Sequence, residues 1–413
     1  MRIVSGRAAA ATVKRLATRG TQFGGLEPRV RRILRDVRRD GDRALRRYAG
    51  RWDGLAPNQP LKVSEAEMSE AWRKLNPQLR KSLRLAAQNI RRFCQRQKPR
   101  SWTRTRGGIS LGQVVRPLES VGCYVPGGRH PLMSTLLMTV IPAQVAGVKN
   151  IRVVSPKPSP EVLGAAAILG ARELYRVGGA QAIAALAYGT RSIERVDKIV
   201  GPGNAYVTVA KRLASFDCAI DFLAGPTEAV VLSDAGVPEF IASDLVAQAE
   251  HDPDALSVFI TTSKTLAQSV MESASRLAQG NPIAQQSLRA RGTVLVATSR
   301  EQARDWANHL APEHITVAAD DLPFIQNAGS IFVGDYSAQA AGDYASGPNH
   351  VLPTSGQARF RGGLSVADFV KVITVQKLSS KGLRGIAPAI ECLAAAEGLP
   401  AHAQSVHLRC EHD

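Results

Sequence analysis

A hydroxyl and a carboxylate stand directly behind a Gly-Pro break in Ile220-Asp221-Phe222-Leu223-Ala224-Gly225-Pro226-Thr227-Glu228, and an amide and an imidazole follow in Gln248-Ala249-Glu250-His251. Residues three apart on a helix share a face, so a helical segment here points Gln248 and His251 at one ligand. Three Glu-His dipeptides add acid–base chemistry, and they are not equivalent. Glu411-His412 lies close to the last residue and reads as frayed tail. Glu250-His251 shares its predicted helix with Gln248; neighbours there point about 100° apart, so His251 can face a ligand while Glu250 turns elsewhere. Glu313-His314 follows Ala311-Pro312, where a helix ending near Leu310 gives way to a predicted strand at Ile315–Ala318. A strand start after a proline break is a common seat for catalytic groups; the alternative is an exposed loop pair.

The elements that must hold these groups follow from periodicity. Residues 1 to about 100 read as a short arm and then helices at Glu27–Tyr48, Ser64–Leu75 and Pro77–Gln97, with breaks at Gly24-Gly25 and Asp53–Pro60. A hairpin-like stretch, Ile109–Leu118, leads into alternating runs. Strands are predicted at Ile151–Ser155, Glu173–Val177, Lys198–Val200, Ala229–Leu232, Leu256–Thr261, Thr293–Ala297 and Ser330–Val333. Helices fall between them at Ser134–Ala146, Gln181–Tyr188, Tyr206–Leu213, Pro238–Ala249, Lys264–Ala278 and Arg300–Leu310, and a last helix at Leu383–Glu397 ends at Gly398. Such alternation predicts an α/β fold with parallel sheets.

With 413 residues the chain exceeds what one core usually organises, so two major units are expected. No apolar run is long enough to span a bilayer and the first residues lack a secretory core, which points to a cytoplasmic protein with no membrane partner. Five scattered cysteines without a C-x-x-C pair argue against disulfides and against a thiolate zinc site. Cys123, beside a Gly-rich loop, is either a nucleophile for aldehyde oxidation or a small buried hydrophobe. The net charge of +18 is uneven: residues 1–106 hold 28 lysines and arginines against 8 acids, the remainder 25 against 27. Val30, Ile33, Leu34 and Val37 make an apolar stripe in this basic region. The arginines opposite can be a solvated face, pair with a partner subunit, or contact phosphates; the scarcity of aromatics among them argues against nucleic acid.

Two Gly-rich turns precede helices. Gly201-Pro202-Gly203-Asn204-Ala205-Tyr206 lacks the third glycine of a dinucleotide fingerprint, yet a strand, a Gly-Pro-Gly turn and a helix start still offer N–H groups to an anion. Gly127-Gly128 does the same ahead of the helix near Ser134, and either turn can equally be structural. Gln248, His251, Asp343 in a Gly-bounded loop, and His402 near the end offer a mixed N/O donor set without sulfur, of a kind that suits Zn2+ or a neighbouring divalent ion in a site open to substrate, although a lone histidine on a helix is more often a polar neighbour than a ligand.

Seven motifs in order, from Gly122-Cys123-Tyr124-Val125-Pro126-Gly127-Gly128 through Gly178-Gly179-Ala180-Gln181-Ala182, Val200-Gly201-Pro202-Gly203-Asn204, the Ala224–His251 block, Ala311-Pro312-Glu313-His314 and Gly342-Asp343-Tyr344-Ala345-Ser346-Gly347-Pro348-Asn349-His350 to Glu397-Gly398-Leu399-Pro400-Ala401-His402, resemble the histidinol dehydrogenases. The likeness covers roughly Gly107 to His402, and Thr227 departs from a family position that is often serine. The resemblance implies two Rossmann-like parallel-sheet domains with helical N- and C-terminal extensions. The implied division is an arm (1–20), a first α/β domain (21–123 and 227–363), a second, NAD-binding domain (124–226), and a dimerisation segment (364–413). It implies oxidation of L-histidinol through L-histidinal to L-histidine with two NAD+, using one Zn2+ per subunit. The zinc ligands would be Gln248, His251, Asp343 and His402, the last from the partner of a homodimer with shared sites. His314 would be the base of the alcohol step and Glu313 would polarise water in the aldehyde step. Tyr124, Gln181 and Asn204 fall at NAD-contacting positions. Thr227, His350 and Glu397 join the zinc and catalytic residues at substrate-contacting positions. Two other readings remain: a dehydrogenase of the same fold for another small amino alcohol or polyol, against which the Glu397/His402 pair argues, and a nucleic-acid-binding protein using the basic helices.

Overall fold

The computed structural model describes residues 1–20, 25–127 and 132–412. Gly24 of the Gly24-Gly25 break and Gly128 of the Gly127-Gly128 turn lie outside the described residues. Two parallel sheets carry the architecture, as the alternating pattern predicts. The six-stranded sheet runs Arg2–Ser5, Thr293–Val296, Leu256–Thr261, Glu228–Leu232, His314–Val317, Ser330–Val333. The five-stranded sheet runs Glu173–Tyr175, Asn150–Val154, Ser120–Tyr124, Lys198–Val200, Ala219–Ile220. In the five-stranded sheet the chain enters at the middle strand Ser120–Tyr124, steps outward, then returns to the other side; the six-stranded sheet repeats that order from Glu228–Leu232, after Arg2–Ser5 has taken its edge. That order creates a crevice between Tyr124 and Val200 in one sheet and a matching switch between Glu228–Leu232 and His314–Val317 in the other.

Arg2–Ser5 was expected in an arm but pairs in register with Thr293–Val296 at the edge of the six-stranded sheet. A strand this short has little sequence signal of its own; the partner strand supplies its hydrogen bonds. The expected Glu27–Tyr48 helix is two helices, Glu27–Asp40 and Asp42–Tyr48, because Gly41 adopts φ +53° and stops the first. Val30, Ile33, Leu34 and Val37 are buried, as the stripe predicts, and pack with Ala180, Ile183, Ala184 and Val207 of the five-stranded unit. Each such side chain contributes roughly 1.5–3 kcal/mol of burial, which attaches the arginine-bearing helices firmly to that unit. Ile109–Pro117 is the centre of a three-stranded antiparallel sheet between Trp102–Arg106 and Val370–Leu378, a larger assembly than the expected hairpin. The C-terminal residues form two helices, Ser380–Ala396 and Pro400–Glu411, packed together. Glu411, read as frayed tail, ends the second helix and pairs with His407 at 3.1 Å. Among the described residues no helix is long and apolar enough to cross a membrane.

Candidate active site

The cluster begins where two neighbouring strands start. Thr227 precedes Glu228–Leu232, and Glu313 precedes His314–Val317, so pairing of those strands brings Thr227 and Glu313 together. Ala311, at φ +45°, turns the chain between the helix Arg300–Leu310 and this strand. The Thr227 hydroxyl lies 2.6 Å from Glu313 Oε2 and 3.0 Å from Gln248 Oε1, and the Glu228 N–H donates to Glu313 Oε2 at 2.9 Å. Burial pushes the Glu313 carboxyl up to about 7; the nearby His314 and the Thr227 and Glu228 bonds limit the rise. Burial alone would lower His314, but the Glu313 charge and the Asp343 hydrogen bond prevail and hold it up at about 9.

His314 Nε2 faces Asp343 Oδ1 at 3.2 Å, whereas its buried Nδ1 has no hydrogen-bond partner among the described residues and lies 3.8 Å from Glu313 Oε2. The ring packs against Phe332 with centroids 5.9 Å apart. Phe332 also explains Gly342, since a Cβ there would approach its Cζ to 2.7 Å. Asp343 lies in a short helix, Gln339–Tyr344, and not in a loop as the flanking glycines suggest. That helix has no side-chain N-cap; it is held by its first residue, whose N–H donates to Asp244 and whose amide reaches Val230 O and Thr316 Oγ1. Gln248 Nε2 donates to Asp343 Oδ2 at 3.3 Å. Burial would raise Asp343, but its bond to His314 and the charges of His314, His350 and His251 bring it below the usual carboxylate range.

His251 lies one residue beyond the cap of Pro238–Ala249, so it does not share a helix with Gln248 as expected; its N–H still donates to Gln248 O at 3.3 Å. His350 donates from Nδ1 to Asp343 O at 2.8 Å and meets the Thr135 hydroxyl at Nε2, 3.2 Å away. Burial lowers its pKa, in keeping with a neutral ring accepting at Nε2. Thr227, Gln248, His251, Glu313, His314, Asp343 and His350 all line one cavity of about 260 Å3. Glu397 and His402 do not line it within their own chain: Glu397 caps Ser380–Ala396, His402 sits in the first turn of Pro400–Glu411, and both are exposed.

A second cavity, about 510 Å3, lies at the crevice of the five-stranded sheet and is lined by Tyr124, Gln181 and Asn204. The two cavities share a loop, with Pro202 lining one and Asn204 the other. Gly201 makes this loop possible, since at φ +113° a Cβ would lie 2.2 Å from Tyr124 O. Asn204 caps Ala205–Ala214 by accepting from the Val207 N–H, which leaves its NH2 for a ligand. The Gly179 N–H donates to the Tyr124 hydroxyl, and burial pushes that phenol up to about 12. Gln181 Nε2 and the Gly178 N–H both donate to Asp53 Oδ2 at 3.0 Å. Asp53, Arg29, Trp52, Lys157 and Tyr206 also line this cavity, and sequence reasoning missed all five. Cys123 is fully buried and its thiol is pushed up to about 12 by burial, so it behaves as a small hydrophobe and not as a nucleophile.

The family model for histidinol dehydrogenase matches residues 17–410. The chain belongs to the histidinol dehydrogenase family. It is 48% identical to the histidinol dehydrogenase of Thermus thermophilus, over 96% of this chain and 97% of that protein. With the histidinol dehydrogenase of Methanothermobacter thermautotrophicus the identity is 47%, over 91% and 92%. The crystal structure of histidinol dehydrogenase from Elizabethkingia anophelis superposes with a TM-score of 0.94 at 38% identity, covering 99% of this chain and 98% of that one. The family match begins far ahead of Gly107, so the basic helices belong to the family's fold as well. The chain is therefore an NAD-dependent oxidoreductase.

As to metal, Gln248, His251 and Asp343 all line the smaller cavity and offer an amide oxygen, an imidazole and a carboxylate, the kind of N/O set that fits Zn2+. Among the described residues no group of three or more His, Cys, Asp or Glu is placed to hold a metal, because this set has only two such residues and an amide.

Proposed function

We infer that the chain oxidises L-histidinol through L-histidinal to L-histidine, with Glu313, His314 and Asp343 as its acid–base centre. The observation that carries this reading is the buried His314 ring, anchored at Nε2 by Asp343 and unpartnered at Nδ1. Anchored so, a neutral ring holds its proton at Nε2 and offers the Nδ1 lone pair to the alcohol proton. The alcohol carbon loses a hydride in the same step, and the aldehyde forms. In the second step Glu313 takes a proton from water as the oxygen adds to the aldehyde carbon; loss of a second hydride leaves the carboxylic acid, which releases its remaining proton to solvent and becomes the carboxylate. Bound NAD+ accepts one hydride per step, two in all.

The 510 Å3 cavity is the cofactor cleft, with Tyr124, Gln181 and Asn204 as contacts. Gln248, His251 and Asp343 would hold Zn2+, with His402 of the partner subunit as the fourth ligand. Such an ion orients the substrate's amine and imidazole nitrogens. A cation at Asp343 also offsets the negative charge that keeps His314 protonated, and so favours the neutral ring a base requires. His402 and Glu397, exposed on a C-terminal helical pair, are free to enter a neighbour's cleft; we therefore assign a homodimer with shared sites, working in the cytoplasm. Thr227 and His350 complete the substrate wall, His350 chiefly by fixing Asp343. For domains we retain the two-sheet division at 21–123 with 227–363 and at 124–226, flanked by 1–20 and the dimerising 364–413.

The test is a division of labour. His314→Gln should lose histidinol oxidation by about 10²–10⁴-fold while sparing oxidation of added histidinal, and Glu313→Gln should show the opposite bias. Equal loss of both steps in each variant refutes the assignment.

A further inference from the structure

Beside the cofactor cleft lies a separate cavity of about 390 Å3 whose walls hold Arg29, Arg32, Arg47 and Arg51 against a single carboxylate, Asp36. It shares Arg29, Ile33 and Trp52 with the cleft, so the two spaces adjoin. Asp36 is already committed: it accepts from the Tyr48 hydroxyl at 2.7 Å and pairs with Arg47 at 3.3 Å and Arg39 at 3.9 Å. The next acids are occupied too. Glu27 serves Arg31 and Arg212, and Asp53 accepts from Gly178 and Gln181. Among the described residues Arg32 and Arg51 form no ion pair; Arg51 lies over the Trp52 ring, 5.7 Å from its centroid. Trp52, itself 39% exposed, stacks on Tyr48 with centroids 4.8 Å apart and planes 8° from parallel. The cavity is thus strongly cationic and has an aromatic platform on its border with the cofactor cleft.

A dinucleotide's pyrophosphate does not require Arg32, Arg47 or Arg51, none of which lines the cleft. The cleft has its own cations in Arg29 and Lys157, and the start of the helix Gly179–Tyr188 borders it. Several planar guanidinium groups around one space match a phosphoryl dianion, which can accept paired N–H bonds from more than one of them. We propose that the Arg29/Arg32/Arg47/Arg51 cavity seats a phosphoryl group next to the bound dinucleotide. The group is carried either on the dinucleotide's adenosine ribose, as in NADP+, or by a separate polyphosphate. This rests on the larger cavity being the cofactor cleft. It gives a use to part of the positive charge concentrated in residues 1–106.

The test compares wild type with an Arg32→Ala/Arg51→Ala double variant, neither residue bordering the cofactor cleft. Histidinol oxidation is followed with NAD+ and with NADP+, and inorganic pyrophosphate is titrated into NAD+-saturated protein by calorimetry. The expected result is that NADP+ reacts or competes with NAD+, and that the double variant weakens it by about 10–100-fold, the size of a lost charged hydrogen bond or two, without changing KM for NAD+. Pyrophosphate binding that NAD+ does not displace, lost in the double variant while NADP+ neither reacts nor competes, identifies the separate ligand instead. The proposal is overturned if neither NADP+ nor pyrophosphate binds, if either binds equally well to the double variant, or if NAD+ and NADP+ weaken together. Failure of the cofactor assignment is seen separately, as Gln181→Ala leaving KM for NAD+ unchanged.

Discussion

Replacing Thr227 with valine isolates one hydrogen bond at the centre of the proposed chemistry. Valine keeps the branched shape and loses the hydroxyl, whose one proton goes to the nearer acceptor, Glu313 Oε2 at 2.6 Å, over Gln248 Oε1 at 3.0 Å. Only the Glu228 N–H, at 2.9 Å, then remains on that carboxylate oxygen. A hydrogen bond to a charged group is worth roughly 1.5–3 kcal/mol, and part of it survives in the protonated acid. At 1.36 kcal/mol per pH unit, the Glu313 pKa should therefore rise by about one unit. The sign is fixed: the bond favours the ionised form, so losing it raises a pKa that burial already holds at about 7. Glu313 works as a carboxylate, so the aldehyde step runs above this pKa and fades as pH falls through it. The acid limb of kcat for histidinal oxidation should move about one pH unit alkaline in Thr227→Val, and return in Thr227→Ser, which restores the hydroxyl. A limb that stays in place or moves to lower pH, or a serine variant that behaves like valine, refutes the role given to Glu313.

Chelation should remove activity and Zn2+ restore it, with His251→Ala and Asp343→Ala losing bound metal while melting as folded proteins; retention of one tightly held zinc per chain in either variant contradicts the ligand set. Mixing His402→Ala with His314→Gln protomers should regenerate active sites, because a mixed dimer holds one site with both defects and one with neither; random exchange makes about half the dimers mixed, restoring roughly a quarter of wild-type sites. No recovery after confirmed exchange places His402 in its own subunit's site or outside it. Lys211→Met should cost about 3–5 kcal/mol in urea unfolding by leaving the Asp221 carboxylate buried and unpaired. A cost near zero would show that the Gly201 and Phe222 N–H groups, which donate to Asp221 at 2.7 and 2.6 Å, suffice to stabilise it.

What could be read from the sequence was local. Pro77–Gln97, Pro238–Ala249 and Arg300–Leu310 begin and end where periodicity and proline placed them, and each begins with or close behind a capping or proline signal. The short helix Gln339–Tyr344 has neither and includes a glycine. Its contacts with Asp244, Val230 and Thr316 override weak propensity, which is why Asp343 was assigned to a loop. Arg2–Ser5 gains its identity as a strand only from Thr293–Val296, about 290 residues further along the chain. The lining of the 510 Å3 cavity shows the same limit. Tyr124, Gln181 and Asn204 belong to the motif turns, but Asp53 and Trp52 arrive from helices that the apolar stripe fastens to the five-stranded unit. Asp53 meets Gly178 across a separation of 125 residues, and no local pattern encodes such a meeting.

The placement of the two cavities follows from strand direction. The cavity proposed for the dinucleotide lies at the carboxyl ends of the parallel strands Ser120–Tyr124 and Lys198–Val200, the usual seat in a sheet of this order. Glu313 and Thr227 sit at the opposite, amino ends of strands in the other sheet. There the backbone N–H of Glu228 is aimed at the Glu313 carboxylate. In the proposed reaction a hydride passes from a carbon beside His314 to a ring in that cavity, which asks one sheet to present its amino ends to the other's carboxyl ends. The loop Gly201-Pro202-Gly203-Asn204 is where they meet, Pro202 bordering the acid–base cluster and Asn204 the cofactor cleft. On that proposal Gly201 serves function as well as folding: a side chain at φ +113° would press on Tyr124 O and displace the loop that joins the two cavities.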